Sequence, residues 1–173
     1  MKIIRSFPPV IDESSRVLIL GSMPGTESLR AGEYYAHPRN IFWRLMGDLV
    51  GASRELTYGA RIRRLRKSGI ALWDVLAACA RKGSLDSNID ENTIIVNDLV
   101  TLLIRHQRIS HVYFNGATAE RCFCKHVQPA LESDRLKTKR LPSTSPAHAT
   151  LGYAEKLRAW RMALKPLAPD KQQ

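Results

Sequence analysis

No apolar run in the 173-residue sequence approaches the roughly 18 residues that cross a bilayer, so a membrane-spanning helix is not expected. The stretch Met1-Lys2-Ile3-Ile4-Arg5 meets prolines without the apolar centre of a secretory leader, and a cytoplasmic location is the expectation. Cysteine is scarce. Cys79, Cys122 and Cys124 form no disulfide framework, and a Cys-x-Cys step is shorter than the usual zinc pair, which leaves reduced thiols in or near the core. There is no Gly-Lys-Ser/Thr phosphate loop, no Gly-x-Gly-x-x-Gly turn, no internal repeat and no low-complexity tract. One domain over residues 1–173 is expected. Acids are also few: 16 Asp and Glu stand against 27 Lys and Arg, a net charge of +11. That surplus favours a polyanionic partner such as nucleic acid, although a basic enzyme with no such partner also fits.

What is present alternates between strand and helix. Short apolar runs at 17–20, 69–74 and 111–115 read as buried strands, and 137–141 as a fourth. Residues 22–39 read as a long loop, of the kind that carries function. Asn40 reads as the cap of a helix with Ile41, Leu45 and Leu49 on one face. In a helix over 57–67, Tyr58, Ile62 and Leu65 face inward, while Arg61, Arg63, Arg64, Arg66 and Lys67 form a solvated or phosphate-contacting face. Residues 81–88 read as a loop. Asp90 reads as the cap of a helix carrying Ile95, Leu99, Leu102 and Leu103. Ala119, Phe123 and Val127 recur at helical spacing, as do Tyr153, Leu157, Trp160 and Leu164. The tail after Pro166 is expected to fray. The alternation predicts an α/β fold with a parallel sheet covered on both faces.

Four stretches carry chemistry. Gly21-Ser22-Met23-Pro24-Gly25 follows a strand, and its small residues let backbone N–H groups approach a ligand. It reads equally as a bare turn. Residues 34–43 (YYAHPRNIFW) combine aromatic planes with an imidazole, a guanidinium and an amide. Asp74 ends a strand at the same predicted edge, where it either reads a polar ligand or caps a turn. Ser143-Thr144-Ser145-Pro146-Ala147-His148 is either a ligand loop or a helix entry capped by Ser or Thr. Ligands of open parallel sheets bind at this carboxyl edge.

With GSMPG at 21–25, YYAHPRNIFW at 34–43, LWDVLAACARKGSLDSNI at 72–89, FNG at 114–116 and LPSTSPAHA at 141–149, the sequence resembles the uracil-DNA glycosylase superfamily, within it the hypoxanthine-DNA glycosylase group. The resemblance implies a three-layer α/β/α sandwich on a four-stranded parallel sheet. It also implies excision of a deaminated base from DNA without a metal or other cofactor. The first motif resembles the base-binding and water-activating loop, and the last the loop that enters the minor groove. Several branches place Asp or Asn where this chain has Met23, and in the hypoxanthine group the catalytic role passes to the position of Asn40. Asp74 replaces the Asn that reads uracil in other branches, and Ser143 stands where uracil enzymes often carry His. These departures point from uracil towards hypoxanthine. Three cysteines do not match the four of the iron–sulfur branches.

The resulting expectation is a monomeric, monofunctional glycosylase acting on DNA that holds a deaminated base. Asn40 would orient the water. Gly21, Ser22, Met23, Pro24, Gly25, Tyr35, His37, Phe42, Asp74 and Asn115 would bind the base, with Phe42 as the first choice for stacking and Tyr35 next. Arg39 and residues Ser143, Thr144, Ser145, Pro146, Ala147 and His148 would contact DNA. A broader uracil, xanthine or mismatch glycosylase, a non-catalytic nucleic-acid-binding domain and a small-nucleotide hydrolase remain as alternatives.

Overall fold

In the computed structural model, residues 3–131 and 135–167 are described. Of the tail after Pro166 that is expected to fray, Leu167 is described, closing a short 3-10 turn, and residues 168–173 lie outside the described residues. In chain order the first half comprises β1 (Ile3–Arg5), β2 (Val17–Gly21), α1 (Thr26–Ala31), α2 (Phe42–Val50), α3 (Tyr58–Lys67), β3 (Ile70–Asp74) and β4 (Leu76–Arg81). The second half comprises β5 (Ile89–Val96), α4 (Leu99–Arg105), β6 (His111–Asn115), α5 (Ala117–His126), β7 (Lys137–Leu141) and α6 (Tyr153–Ala163).

Four strands pair in parallel in the order β3-β2-β6-β7. Alternation along them divides the core. Val17, Ile19, Ile70, Leu72, Tyr113 and Leu141 face one side, with Phe42, Trp43, Leu45 and Met46 of α2, Leu65 of α3 and Trp160 of α6. Leu18, Leu20, Ala71, Val112 and Phe114 face the other, with Leu99 and Leu103 of α4 and Ala119 and Phe123 of α5. The expected α/β/α layering and all four predicted sheet strands are present.

A three-stranded antiparallel sheet, β1-β4-β5, was not anticipated. The helix proposed from Asp90 is instead β5, whose Thr93-Ile94-Ile95-Val96 run is β-branched and favours an extended chain. The helix begins later, at Leu99, where the Asp98 carboxylate accepts from the Thr101 N–H at 3.1 Å. Ile95 is exposed rather than inward. Residues 22–39 are interrupted by the short helix α1. Arg61 does not point outward. It is buried over the rings of Trp43 and Tyr58 and pairs with Glu33 at 3.1 Å.

Candidate active site at the carboxyl edge of the sheet

The chain leaves β2 for β3 on one side and later returns to β6 on the other. The crevice beyond the carboxyl ends of β2 and β6 is therefore the switch point of the sheet, where open α/β folds bind ligands. Gly21-to-Gly25 follows β2, Asp74 ends β3, Asn115 ends β6, and 143–148 follows β7. The fourth sequence-predicted stretch, 34–43, reaches the same edge through Ile41 N–H on the Thr144 carbonyl and the Tyr35 hydroxyl beside Gly21.

In the 21–25 loop every carbonyl is turned to a protein donor. Val75 N–H takes Gly21 O at 2.9 Å, Leu76 N–H takes Ser22 O at 3.1 Å, and Leu29 N–H takes Gly25 O at 3.0 Å. Arg81, which lies within the predicted 81–88 loop but ends β4, donates to Pro24 O and lies 3.5 Å from Met23 O. Its side chain is fully buried, and Asp86 sits 3.7 Å from the guanidinium while accepting from the Ser22 hydroxyl at 2.7 Å. With the carbonyls occupied, the N–H groups of Ser22, Met23 and Gly25 have no acceptor among the described residues. The loop is a set of preorganised donors. Met23 contributes only backbone here, because its thioether is buried in the core. Pro24 is buried as well.

Asp74 lies beside this loop and is buried. Its Oδ2 accepts from the Ser6 hydroxyl at 2.6 Å. Burial drives its carboxyl up to about 7; the Ser6 hydrogen bond opposes this, Asp86 adds to it and Arg81 counters it. Gly21 is glycine for want of room: a Cβ there would run into Asp74 Oδ1 and lie 3.2 Å from the Tyr35 hydroxyl.

Tyr35 has a φ of 56°, and is the one non-glycine residue with positive φ among the described residues. Such backbone strain persists where the surroundings enforce it, often at functional sites. Its ring stacks on Phe42 with centroids 4.0 Å apart. Its hydroxyl is buried; burial and Asp74 oppose its ionised form, while the nearby Asn115 side chain favours it. Phe42, preferred from sequence for stacking on the base, is completely buried beneath Tyr35 and between Trp43 and Trp160, so it has no free face. The half-buried ring above it is Tyr35.

Asn40 precedes α2 but is not its cap, which is Ile41. The Asn40 Oδ1 accepts from Phe42 N–H at 3.0 Å, so the side chain is held, with one oxygen lone pair and the amide N–H groups left over. His37 Nδ1 accepts from Arg39 N–H at 3.1 Å, and Arg54 donates to the carbonyls of His37 and Pro38. The Arg39 side chain is exposed.

The 143–148 loop is tied at its root. Asn115 and Thr144 exchange hydrogen bonds, Nδ2 to Oγ1 at 2.8 Å and Thr144 N–H to Oδ1 at 2.9 Å. Asn115 therefore braces the loop and its amide is not directed at a ligand. Thr144 is buried rather than presented to DNA, and its carbonyl accepts from Ile41 N–H at 3.1 Å, joining this loop to the Asn40 segment. A second residue missed from sequence, the buried Lys156, donates to the carbonyls of Ser143 and His148. Its place on the α6 stripe, three residues after Tyr153 and four before Trp160, is the available signal for it. At Gly116, φ is 100° and an added Cβ would sit 3.1 Å from Ser143, so glycine permits this close approach. Pro146, Ala147 and His148 are exposed at the tip. Neither Ser nor Thr of this loop caps the last helix, whose cap is Gly152.

Cys79 and Cys122 are buried thiols and Cys124 is exposed. Among the described residues no group of three or more His, Cys, Asp or Glu gathers as a metal site, and no helix is long and apolar enough to cross a membrane.

Residues 8–165 match the family model of the uracil DNA glycosylase superfamily. This chain belongs to the uracil DNA glycosylase superfamily. Within that superfamily, it is 39% identical over 145 residues to a protein of Methanosarcina acetivorans named hypoxanthine DNA glycosylase, covering 83% of this chain and 87% of the relative. A Methanosarcina barkeri protein of the same name is 38% identical over the same shares. A solution NMR structure from Methanosarcina acetivorans, provisionally named a uracil DNA glycosylase, superposes with a TM-score of 0.79 at 34% identity, covering 96% of this chain and 99% of that one.

Proposed function

We propose that this protein is a monofunctional DNA glycosylase of base-excision repair, which hydrolyses the N-glycosidic bond of hypoxanthine in DNA. The observation that carries the reading is the 21–25 loop, whose carbonyls are all engaged while the N–H groups of Ser22, Met23 and Gly25 have no acceptor among the described residues, with Asp74 beside Gly21. Superfamily membership and two relatives named for hypoxanthine supply the reaction class.

A base inside a duplex is out of reach, so the enzyme extrudes it at a cost of a few kcal/mol, which is lowest at a mispaired base. The exposed tip at 146–148 enters the minor groove, and Arg39 holds phosphate. Tyr35, supported by Phe42, is the stacking plane; such stacking contributes about 1–3 kcal/mol per base. The Asp74 carboxylate accepts the N1–H of hypoxanthine, a donor that adenine lacks. As the bond breaks, negative charge develops on the departing base and meets the free N–H groups of the 21–25 loop. The remaining lone pair of the Asn40 oxygen orients the water that reacts with the sugar carbon. An amide is a feeble base, which suffices when bond breaking runs ahead of water attack.

The test is a panel of otherwise identical duplexes carrying hypoxanthine, uracil, xanthine or a G:T mismatch, assayed for free base and abasic product. Hypoxanthine should be released fastest. Preferential release of uracil would overturn the substrate assignment, and salt-sensitive binding with no abasic product on any duplex would overturn the enzymatic one.

A further inference from the structure

The sheet has a second edge. The central strand β2 is five residues long, so its amino end lies about 16 Å from the candidate active site at roughly 3.3 Å per residue. There the ladder continues one step upstream of the strands. Arg16 N–H donates to Gly69 O at 2.9 Å, Ser110 N–H to Arg16 O at 3.0 Å, and Lys137 N–H to Ser110 O at 2.9 Å. A cavity of about 480 Å³ opens at this edge, lined by Ser14, Arg16, Lys67, Gly69 and Arg108. Its lining holds three cations and no acid. The adjoining hollow shares Arg108 and adds Arg105 and His106, with Glu13 as its acid.

Among the described residues none of Arg16, Lys67, Arg105 and Arg108 forms an ion pair. Arg16 donates instead to the Leu167 carbonyl at 3.1 Å, which holds its guanidinium at the cavity wall. The α3 carboxyl terminus favours a cation such as Lys67. It does not account for Arg16 and Arg108, which arrive from other segments. Exposed Arg63 and Arg64 lie four and three residues before Lys67, so the positive surface continues beyond the cavity along one helix face. A surface wider than one phosphate suits a polyanion better than a small anion.

We propose that this amino-terminal edge is a second phosphate-binding surface, which holds the backbone of a second DNA segment while the opposite edge holds the substrate duplex. A chain bridging two segments can pass from one to the other without full release. The inference takes its choice of polyanion from the proposed glycosylase function.

The test compares the full chain with an Arg16→Gln/Lys67→Gln/Arg108→Gln variant, using an undamaged duplex too short to reach both edges. The native protein should bind two such duplexes and the variant one. Transfer from a labelled duplex to unlabelled DNA should accelerate with competitor concentration in the native protein and become independent of it in the variant. Single-turnover release of hypoxanthine from a saturating short duplex should be unchanged. The slope of log affinity against log salt for the second duplex should show phosphate contacts at about 0.9 each, roughly 2.7 for the three cations. Arg108→Gln alone, at an exposed position, serves if the triple variant does not fold. One duplex bound by the native protein, two still bound by the variant, or occupation by inorganic polyphosphate but not by duplex would each overturn the proposal. Base release with only one duplex bound would defeat this inference alone, whereas two duplexes bound with no base released would defeat the glycosylase reading alone.

Discussion

The loops at 21–25 and 143–148 leave the same edge of one sheet, from β2 and β7 on either side of β6, yet are built in opposite ways. The first is pinned along its whole length: all five carbonyls face protein groups, with the buried Arg81 beneath two of them. The second is tied at its two ends, by Asn115 on Thr144 and by Lys156 on the carbonyls of Ser143 and His148, and leaves the side chains of Pro146, Ala147 and His148 exposed. A cradle for a reacting group must hold its donors to a fraction of an ångström, because preorganisation is the source of electrostatic catalysis. A wedge needs a fixed base and a tip that meets DNA. The difference between them separates chemistry from docking.

The largest test of that separation is Asn40→Ala, where the two regions meet through the Ile41–Thr144 hydrogen bond. Single-turnover base release should fall about 100-fold or more, while affinity for hypoxanthine-containing duplex changes little. Near-native release would remove Asn40 from the mechanism. Arg81→Ala comes next. It strips the donors from the Met23 and Pro24 carbonyls and leaves Asp86 with the Ser22 hydroxyl but without its cation, so the expected loss is about 2–4 kcal/mol of stability in denaturant melts. Activity should fall further than the unfolded fraction explains; a loss matching that fraction would make Arg81 purely structural.

Lys156→Met keeps the stem buried but frees the carbonyls of Ser143 and His148. Here docking should weaken by about tenfold, equivalent to about 1.4 kcal/mol and near the low end for a hydrogen bond to a charged group, with release at saturating DNA preserved. A fall in release with unchanged affinity would reverse the roles given to the two loops. The smallest effect concerns Asp74, whose carboxyl titrates at about 7. A pKa raised above the unfolded value of 3.8 means folding favours the protonated form, so this group's contribution to stability is full below about pH 4 and declines as pH rises to 7. Asp74→Asn should therefore stabilise the protein modestly at pH 8 and little at pH 4. Base release, which needs the ionised acceptor, should rise through pH 7 in the native protein and lose that limb in the variant. An unaltered pH profile would show that Asp74 does not read the base.

The apolar runs at 17–20, 69–74 and 111–115 were legible as sheet strands because a strand buried on both faces is apolar almost throughout, whereas the edge strand at 137–141, Lys-Thr-Lys-Arg-Leu, is exposed along most of its length and was marked mainly by the loop that follows it. The 89–96 strand was not, because its half-buried residues lack clean alternation and Asp90 imitates a helix cap. Phe42 and Tyr35 were both visible as aromatic candidates, but period and composition do not reveal which ring covers the other. Arg81 and Lys156 escaped because long charged side chains are ordinarily solvated, and their burial follows only from carbonyls contributed by distant segments.

The sequence alone determined the parallel sheet, the basic character, and the motifs that end its strands, since these depend on local hydrophobic pattern and residue chemistry. Tertiary structure decided which of those motif residues face a ligand and which serve as braces. Asn115, Thr144, Met23 and Phe42 turn inward while the backbone of 21–25, the ring of Tyr35 and the tip at 146–148 do not. The physical reason is that buried polar groups must find partners, and those partners lie on segments that only the folded sheet brings together.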